Sequence, residues 1–432
     1  MKKPLLTNTQ RHKKIPELLV PANNLNVLKY AVSYGADAVY AGGKKFNLRS
    51  TGENFTLNEL REGVEYAHNQ GAKVYFTLNS VIFENEIPSF IRYLKELKNI
   101  DFDGVIVSDS GALDMVREFL PGKQIHISTQ TNIANHRAVD FFKKNGVKRI
   151  NIAREISFSD LKSILNKTDI EIEVFVHGAL CISYSGRCML SKYMAGRDAN
   201  KGECAHSCRW KYYLMEEKRP NMFFPIDQDK RGTYIYNSRD LCLLGRLKLL
   251  SDAGVDAVKI EGRMKSENYV SLTTWVYRKA LDYIKENKYT GKEIACLTAE
   301  LDKCSHRNFT EGFMFLKDKS ELTDNDNVGY INKYRFIGTC AGFSNRFNGP
   351  IISVRNHFCT GEIVDVLQPG SDPFIFKIEK MVSPMDETEL EYANPNDSVI
   401  ICDLGKISPF SILRIKDWNP ENIKDYGHNV QI

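Results

Sequence analysis

Eight short runs rich in Val, Ile, Leu and aromatic residues recur through the first 260 residues, and this repetition limits the possible folds more than any other feature. The runs occupy residues 17–21, 37–41, 73–79, 103–107, 124–128, 148–153, 172–176 and 256–260. Amphipathic segments such as 25–33, 57–69 and 90–97 separate them, and several are followed by a Gly typical of a helix C-cap. Eight alternations of strand and helix predict an α/β fold of the TIM-like (β/α)8 barrel type.

A doubly wound open sheet is the main alternative, because alternation alone does not show that a sheet closes. No predicted strand is followed by a GxGxxG loop, which disfavours the nucleotide-binding version of that fold. The barrel is therefore predicted for residues 16–290, with its final helix over residues 266–286.

The remaining segments differ from the barrel in composition and in the spacing of their apolar runs. Short β-rich runs at 334–340, 351–354, 362–367, 374–381 and 398–402 predict a small C-terminal β-barrel domain or sandwich over residues 329–432. Its cations Lys333, Arg346 and Arg355 would suit a phosphate surface. Residues 291–328 are charged and irregular and are predicted to be a connector, whereas residues 1–15, basic and without acid, are predicted to be a disordered tail.

Composition indicates an ordinary globular protein, with 42% hydrophobic and 26% charged residues in 432. No stretch approaches the ~20 consecutive apolar residues that a membrane helix requires. The net charge of +5 is compatible with an RNA partner without requiring one. Because the N-terminus lacks the apolar run of a secretory signal, a cytoplasmic and reducing location is expected.

Four of the ten cysteines fall within residues 181–208. Cys181 and Cys188 are seven residues apart, Cys204 and Cys208 are four apart, and Gly, Asn and Asp are frequent between the two pairs. In a reducing compartment, clustered cysteines more often hold a metal than form disulfides. Four thiolates suit either a zinc ion or an iron–sulfur cluster, and spacing alone does not separate the two.

Polar residues follow the predicted strands at the ends where barrel enzymes carry their active sites. These residues are Asn79, Asp109, Gln130, Arg154, Glu155, His177, Glu261 and Arg263. Arg49 follows the second run in the same way, and the cysteines belong to an insertion over residues 178–240 after the seventh run. The sequence therefore predicts one site that combines this ring with the cysteines.

Three motifs carry a resemblance to a known family. They are residues 173–181 (EVFVHGALC) with 185–188 (SGRC) and 190–191 (LS), residues 259–265 (KIEGRMK), and residues 34–40 (YGADAVY). The chain resembles the collagenase-like peptidases grouped as family thirty-two among peptidases of unknown mechanism. Within that family it is similar to the members that modify tRNA.

The resemblance implies hydroxylation of the tRNA wobble uridine to 5-hydroxyuridine, with prephenate as co-substrate. It also implies a four-iron four-sulfur cluster held by Cys181, Cys188, Cys204 and Cys208, with zinc as the alternative metal. Cys242 is a fifth candidate that would replace Cys208. The expected partners are the tRNA anticodon loop, prephenate, and accessory or sulfur-cluster assembly proteins, without a membrane.

Roles for the ring follow from this expected chemistry. Prephenate carries two carboxylates, and Arg is the side chain that holds a carboxylate through two parallel hydrogen bonds. The expected substrate-binding residues are Arg49, Asn79, Gln130, Arg154 and Arg263. His177 and Glu261 are the titratable groups expected to transfer protons.

Other functions remain open at this stage. A collagenase-like peptidase is the runner-up because of the family's name, although neither HExxH nor Gly-x-Ser-x-Gly occurs in the chain. A noncatalytic RNA-binding protein stapled by zinc is a third hypothesis. Within the resemblance, hydroxylation of ribosomal RNA or of a quinone precursor is a further alternative.

Overall fold

A computed structural model describes residues 14–50, 52–181, 183–209, 238–316 and 330–417, together with the backbone of four short strands between residues 214 and 234. The predicted tail lies almost entirely outside these residues, and so does residue range 317–329 of the predicted connector. In the described part of the chain, no helix is both long and apolar enough to cross a membrane.

The barrel strands are formed by the predicted β-rich runs. The strands of the N-terminal part are β1 (Glu17–Pro21), β2 (Ala38–Gly42), β3 (Lys73–Leu78), β4 (Gly104–Val107), β5 (Gln124–Ile127), β6 (Arg149–Asn151), β7 (Glu171–Ala179), β8 (Leu214–Glu216), β9 (Arg219–Phe224), β10 (Asp227–Asp229), β11 (Gly232–Tyr234), β12 (Asp240–Cys242), β13 (Ala257–Ile260) and β14 (Phe309–Thr310). Strands β1 to β7 pair in parallel in chain order, and β13 pairs in parallel with both β1 and β7. The sheet is therefore closed, which confirms the predicted (β/α)8 barrel.

Helices surround the barrel, and the longer ones bury an apolar face against its strands. The helices are α1 (Leu25–Ser33), α2 (Leu57–Asn69), α3 (Ile87–Leu97), α4 (Ser110–Phe119), α5 (His136–Lys144), α6 (Phe158–Leu165), α7 (Leu190–Ala195), α8 (Leu247–Asp252), α9 (Glu267–Lys285), α10 (Gly291–Leu301) and α11 (Gly312–Phe315). Local signals fix their starts: Asn24 caps α1, and Thr56 with Glu59 forms a capping box on α2. The final barrel helix was predicted over 266–286 and is α9.

The segment predicted to be an irregular connector is structured in its described part. Thr290 caps α10, which buries Leu297 and Leu301 against the barrel. Strand β14 then pairs with β12, and β12 runs antiparallel to β7, so this segment extends the barrel sheet. Its charged surface residues obscured the helical spacing of the two leucines in the sequence.

A buried ion network fills the lower interior of the barrel, where apolar side chains are usual. The Arg149 guanidinium lies 2.6 Å from a Glu17 carboxylate oxygen and 2.8 Å from one of Glu171. Glu173 accepts hydrogen bonds from Lys259 Nζ at 2.9 Å and from Asn151 Nδ2 at 2.8 Å. Removing one partner of such a buried pair leaves an uncompensated charge and typically costs about 3–5 kcal/mol.

The C-terminal part is rich in β-structure, as predicted. Its strands are β15 (Tyr334–Ser344), β16 (Gly349–Val354), β17 (Phe358–Cys359), β18 (Ile363–Leu367), β19 (Phe374–Lys377), β20 (Met381–Val382), β21 (Glu389–Leu390), β22 (Tyr392–Ala393), β23 (Ser398–Ile401) and β24 (Ile412–Lys416). Eight of them form an antiparallel sheet in the order β19-β18-β24-β15-β16-β23-β20-β21 around a separate apolar core. Within residues 330–417 the two end strands β19 and β21 are not paired with each other.

This domain packs against the barrel helices through hydrogen bonds as well as apolar contacts. The Tyr34 hydroxyl at the end of α1 donates to the carbonyl oxygens of Leu367 at 2.8 Å and Phe410 at 3.0 Å. Trp275 Nε1 on α9 donates to the Ser371 carbonyl oxygen at 2.9 Å. Hydrogen bonds therefore fix the orientation of the C-terminal domain on the barrel.

The cations proposed as a phosphate surface on this domain are used in ion pairs. Lys333 and Arg355 pair with Asp302 and Glu267 of the barrel part at 2.7 and 3.1 Å. Arg346 pairs with a glutamate within its own domain. These pairings leave the three side chains less available to RNA than the sequence alone indicated.

Candidate functional site at the mouth of the barrel

Residues 181–208, called the cysteine-rich segment below, lie across the C-terminal mouth of the barrel. The Ser50 hydroxyl, in the loop after β2, donates to the Lys201 carbonyl oxygen at 3.2 Å. The Ser185 hydroxyl donates to a carboxylate oxygen of Glu155, after β6, at 2.6 Å. The segment therefore joins loops from separate parts of the barrel rim.

Close backbone approaches fix the segment in this position. Gly202 has φ +88°, and a Cβ there would lie 2.5 Å from the Asn47 carbonyl oxygen, so glycine is required on both grounds. The Val81 amide donates to the Asn200 carbonyl oxygen at 3.4 Å. Because these contacts involve backbone atoms, the segment is held independently of its exposed side chains.

Three arginines and one glutamate lie beneath the segment. Arg49 Nη2 is 3.1 Å from Glu261 Oε1. The pKa of the Tyr40 phenol is affected by the charges of all four side chains, Arg49, Arg154, Arg263 and Glu261. Burial raises the pKa of Tyr40, whose hydroxyl donates to a backbone carbonyl oxygen at 2.9 Å. The predicted ring residues from the second, sixth and eighth strand ends are therefore brought together.

Arg263 is the most buried of the three, with 4% of its surface exposed. Its Nη1 donates to Thr77 Oγ1 at 3.0 Å and its Nη2 to Asn54 Oδ1 at 2.5 Å. Burial lowers the pKa of Arg263 to about 10. Among the described residues, the side chains that hydrogen-bond to this guanidinium are neutral.

Arg154 is held in a comparable way. Its guanidinium stacks 3.8 Å above the Phe175 ring, and its Nη1 donates to the Ala179 carbonyl oxygen at 2.9 Å. Burial lowers the pKa of Arg154, and Glu261 partly offsets this effect. Among the described residues, the buried Nε atoms of Arg154 and Arg263 have no hydrogen-bond partner. Each guanidinium therefore has one buried N–H group that no described protein atom satisfies.

The thiols of the cysteine-rich segment lie close to the arginines and to one another. Burial raises the pKa of Cys181, the charges of Cys188 and Cys204 raise it further, and Arg154 opposes them. The charge of Cys204 in turn raises the pKa of Arg49. Three of the four predicted ligands are thus within electrostatic range of one another, directly above the arginines.

The donor set fits a thiolate-bound metal in its chemistry, whereas the side chains are not gathered around a centre. Among the residues that the structure describes, no group of three or more His, Cys, Asp or Glu is close enough together to hold a metal ion. Cys242 lies elsewhere: its Sγ is 3.9 Å from the Tyr277 hydroxyl, in the layer between β12 and α9. This placement gives no support to Cys242 as a replacement for Cys208.

The amide side chains predicted for the site have different surroundings. Asn79 Oδ1 is buried and has no partner within the described ranges. Gln130 lies under the cysteine-rich segment, since a Cβ at Gly186 would be 3.2 Å from its Nε2. Asp109, in contrast, caps α4 by accepting from the Ala112 amide at 2.9 Å, which is a structural role.

His177 does not face the arginines. It is 1% exposed, its Nδ1 is 3.4 Å from the Tyr277 hydroxyl, and burial lowers its pKa to about 3. Strict alternation along β7 would place His177 on the inner face with Phe175. The β7–β13 register shifts between Lys259 and Ile260, however, and this irregularity turns His177 outward towards α9.

Asn54 is a residue of the site that no sequence pattern marked. Asn54 adopts φ 51° and donates through Nδ2 to the Arg49 carbonyl oxygen at 2.7 Å, while its Oδ1 orients Arg263. It lies in the long loop between β2 and α2, where no strand-end rule applied. An Asn in a Gly-containing loop was the available signal, and it is too common to be specific.

Comparison with known proteins identifies the family. The model of peptidase family U32 matches residues 23–324, and that of the U32 C-terminal domain matches residues 332–414. The chain belongs to peptidase family U32. The family resemblance inferred from the cysteine motif is therefore confirmed.

Several relatives in this family have RNA-related names. The chain is 37% identical to tRNA hydroxylation protein P1 of Bacillus subtilis, over 93% of this chain and 95% of that protein. It is 34% identical to tRNA hydroxylation protein P of Escherichia coli, over 86% and 90% of the two chains. The 23S rRNA 5-hydroxycytidine C2501 synthase of Escherichia coli is 33% identical, over 76% of this chain and 48% of that protein.

Proposed function

We propose that this U32 protein is an RNA hydroxylase that converts the wobble uridine of tRNA to 5-hydroxyuridine, with prephenate as co-substrate. The supporting observation is the arginine cluster beneath the cysteine-rich segment. The names of relatives that align along nearly the whole chain support RNA hydroxylation as the reaction class.

The arginine contacts favour a dianionic small molecule. Arg49 is paired with Glu261, but in the described part of the chain Arg154 and Arg263 directly contact only neutral polar groups and an aromatic ring. Burial lowers the pKa of both, which means that each charge is less well solvated here than in water and that a bound anion would stabilise it. Two carboxylates on one molecule would satisfy both guanidiniums.

Prephenate has the required two carboxylates, which Arg154 and Arg263 would bind and orient. Asn79, whose Oδ1 is unpaired among the described residues, would accept a hydrogen bond from a hydroxyl group of a bound molecule. Glu261, which Arg49 holds in position, would accept a proton. His177 has no part in the proposal, because its side chain packs against α9.

Cys181, Cys188, Cys204 and Cys208 would hold the four-iron four-sulfur cluster. When bound, such a cluster supplies electron transfer at a potential set by its surroundings. Arg49 interacts electrostatically with Cys204, and Arg154 does so with Cys181. These two cations would stabilise a negatively charged cluster. Closer convergence of the thiols on metal binding is expected, since binding and folding of such sites are coupled.

The peptidase alternative receives no comparable support. Ser185 occupies a turn with φ 44°, a position typical of a serine nucleophile, but its hydroxyl donates to Glu155 rather than to a histidine. The Ser185 amide donates to the same carboxylate, so Glu155 satisfies both polar groups of this turn. This arrangement fastens the cysteine-rich segment and does not form a hydrolytic triad.

The proposal is tested by incubating anaerobically purified, iron- and sulfide-reconstituted protein with tRNA lacking the modification. Mass spectrometry of the digested nucleosides should show 5-hydroxyuridine with prephenate and none when prephenate is omitted. A monocarboxylate of similar size serves as the control. Equal product without a dicarboxylate would contradict the role of the arginines, and no product under any condition would contradict hydroxylation.

A further inference from the structure

The cysteine-rich segment presents an unusual amount of apolar surface to solvent. Tyr193 is 82% exposed, Met189 is 55% exposed and Tyr184 is 50% exposed, and Met194 lies beside Tyr193. Large apolar side chains exposed together in one segment commonly mark an interaction site. They require an explanation that the arginine cluster below them does not provide.

The same surface is basic. The cysteine-rich segment contains four Lys or Arg against Asp198 and Glu203, a net charge of +2 in a chain whose net charge is +5. Arg187, Lys192 and Arg197 are exposed and form no ion pair with another described residue. Lys201 differs from them because it pairs with a glutamate of the rim.

We propose that this surface binds the single-stranded part of an RNA loop, with Tyr193 and Tyr184 stacking on bases and Arg187, Lys192 and Arg197 contacting phosphates. Aromatic rings interleaved with cations are the usual means of holding unpaired nucleotides. The inference rests on the proposed function, because an RNA hydroxylase must present one unpaired base to its site. The inference adds to the proposed function the RNA-binding surface and the side chains that hold the loop.

The position of Tyr184 links this surface to the arginine cluster. Ser185, the next residue, donates to Glu155 through both its amide and its hydroxyl, which places Tyr184 near that carboxylate. Glu155 directly follows Arg154 in the chain. A base stacked on Tyr184 would therefore lie at the edge of the site.

The backbone beneath these side chains is held by internal contacts. The buried Ser191 hydroxyl accepts from the Ala205 amide at 2.9 Å, and Asn200 Nδ2 donates to the Cys188 carbonyl oxygen at 3.1 Å. None of these contacts involves the Tyr193 or Lys192 side chain. Substitution of those two exposed residues should consequently leave the segment folded.

The test uses the full-length protein and a fluorescently labelled, unmodified anticodon stem-loop RNA, with binding followed by anisotropy. Tyr193→Ala should weaken binding by roughly five- to 150-fold, the range for loss of one stacked base, whereas Tyr193→Phe should bind like wild type. Lys192→Gln should lower the salt dependence by about one phosphate contact. Tyr392→Ala is the matched control, since Tyr392 is 55% exposed but lies on the C-terminal domain.

Unchanged loop affinity in both Tyr193→Ala and Tyr184→Ala would overturn the inference, and so would equal competition by a duplex RNA without a loop. Binding is measured without prephenate, so it does not depend on the reaction. If wild type binds the loop through Tyr193 but forms no 5-hydroxyuridine, the surface stands and the proposed reaction fails. If product forms and the KM for RNA is the same in Tyr193→Ala, only the surface is contradicted.

Discussion

Replacement of Arg263 by Ala should abolish tight binding of prephenate. Arg263 is nearly fully buried, and Thr77 and Asn54 orient its guanidinium from below. Loss of one partner from a buried charge-assisted contact costs about 2–5 kcal/mol of binding free energy. This corresponds to an affinity reduced by roughly 30-fold to several thousand-fold. Arg263→Lys keeps the charge but loses the two-pronged geometry, so its affinity should be intermediate.

The fold must be assayed alongside binding, because the substitution leaves Thr77 and Asn54 without their partner. Such unpaired groups cost about 1–3 kcal/mol each. The lowered pKa of Arg263 shows that its charge is itself unfavourable in the unbound site, so the net loss of stability should be smaller than the contacts suggest. Urea unfolding measures this effect separately.

Isothermal titration calorimetry with prephenate, in the absence of RNA, is the binding assay. Arg346→Ala is the control, since Arg346 is exposed and forms its ion pair on the C-terminal domain. The arginine hypothesis is refuted if Arg263→Ala unfolds like wild type and binds prephenate with unchanged affinity.

Three further predictions concern the histidine, the thiols and the interface. Because His177 has a folded pKa of about 3 and an ordinary value near 6.5, the unfolded state takes up its proton first as pH falls. Stability should therefore drop by up to about 1.4 kcal/mol per pH unit between these values. Urea titrations of His177→Gln should lack that contribution, whereas those of His136→Gln, at a half-buried position, should keep it. Cys204→Ala should lose bound iron in elemental analysis whereas Cys296→Ala, on the surface of α10, should retain it; equal iron contents would remove Cys204 from the ligand set. Tyr34→Phe should lower the unfolding free energy by about 1–3 kcal/mol through loss of hydrogen bonds to the C-terminal domain, and unchanged calorimetric melting would contradict this.

The barrel was predictable because its strands are marked by local patterns. Runs such as 17–21 and 257–260 are almost wholly apolar and short, and capping residues such as Thr56 mark where helices begin. These signals depend on a few neighbouring residues. Sequence alone therefore located all eight strands, with differences confined to their ends.

The site was predictable only where the strand-end rule held. Arg154, Glu261 and Arg263 follow regular strand ends and converge as expected. His177 follows the same rule in the sequence, but a register irregularity between two strands reverses the direction of its side chain. Such an irregularity depends on pairing between residues about 80 positions apart, which hydrophobic periodicity does not record.

Long-range polar contacts were also beyond the sequence analysis. Asn54 reaches Arg263 from a loop more than 200 positions away in the chain. Arg149 and Glu17 pair inside the barrel, where their charges gave no sign of burial. In each case the partner, not the residue itself, determines the role.

The most direct test of the central claim is to locate the added oxygen in the RNA. Unmodified tRNA is incubated with reconstituted protein and prephenate, digested to oligonucleotides and sequenced by tandem mass spectrometry. The proposed function predicts one added oxygen at the wobble uridine in wild type and none with Arg263→Ala. An unmodified wobble uridine in wild-type reactions, or an oxygen added only elsewhere, would contradict it.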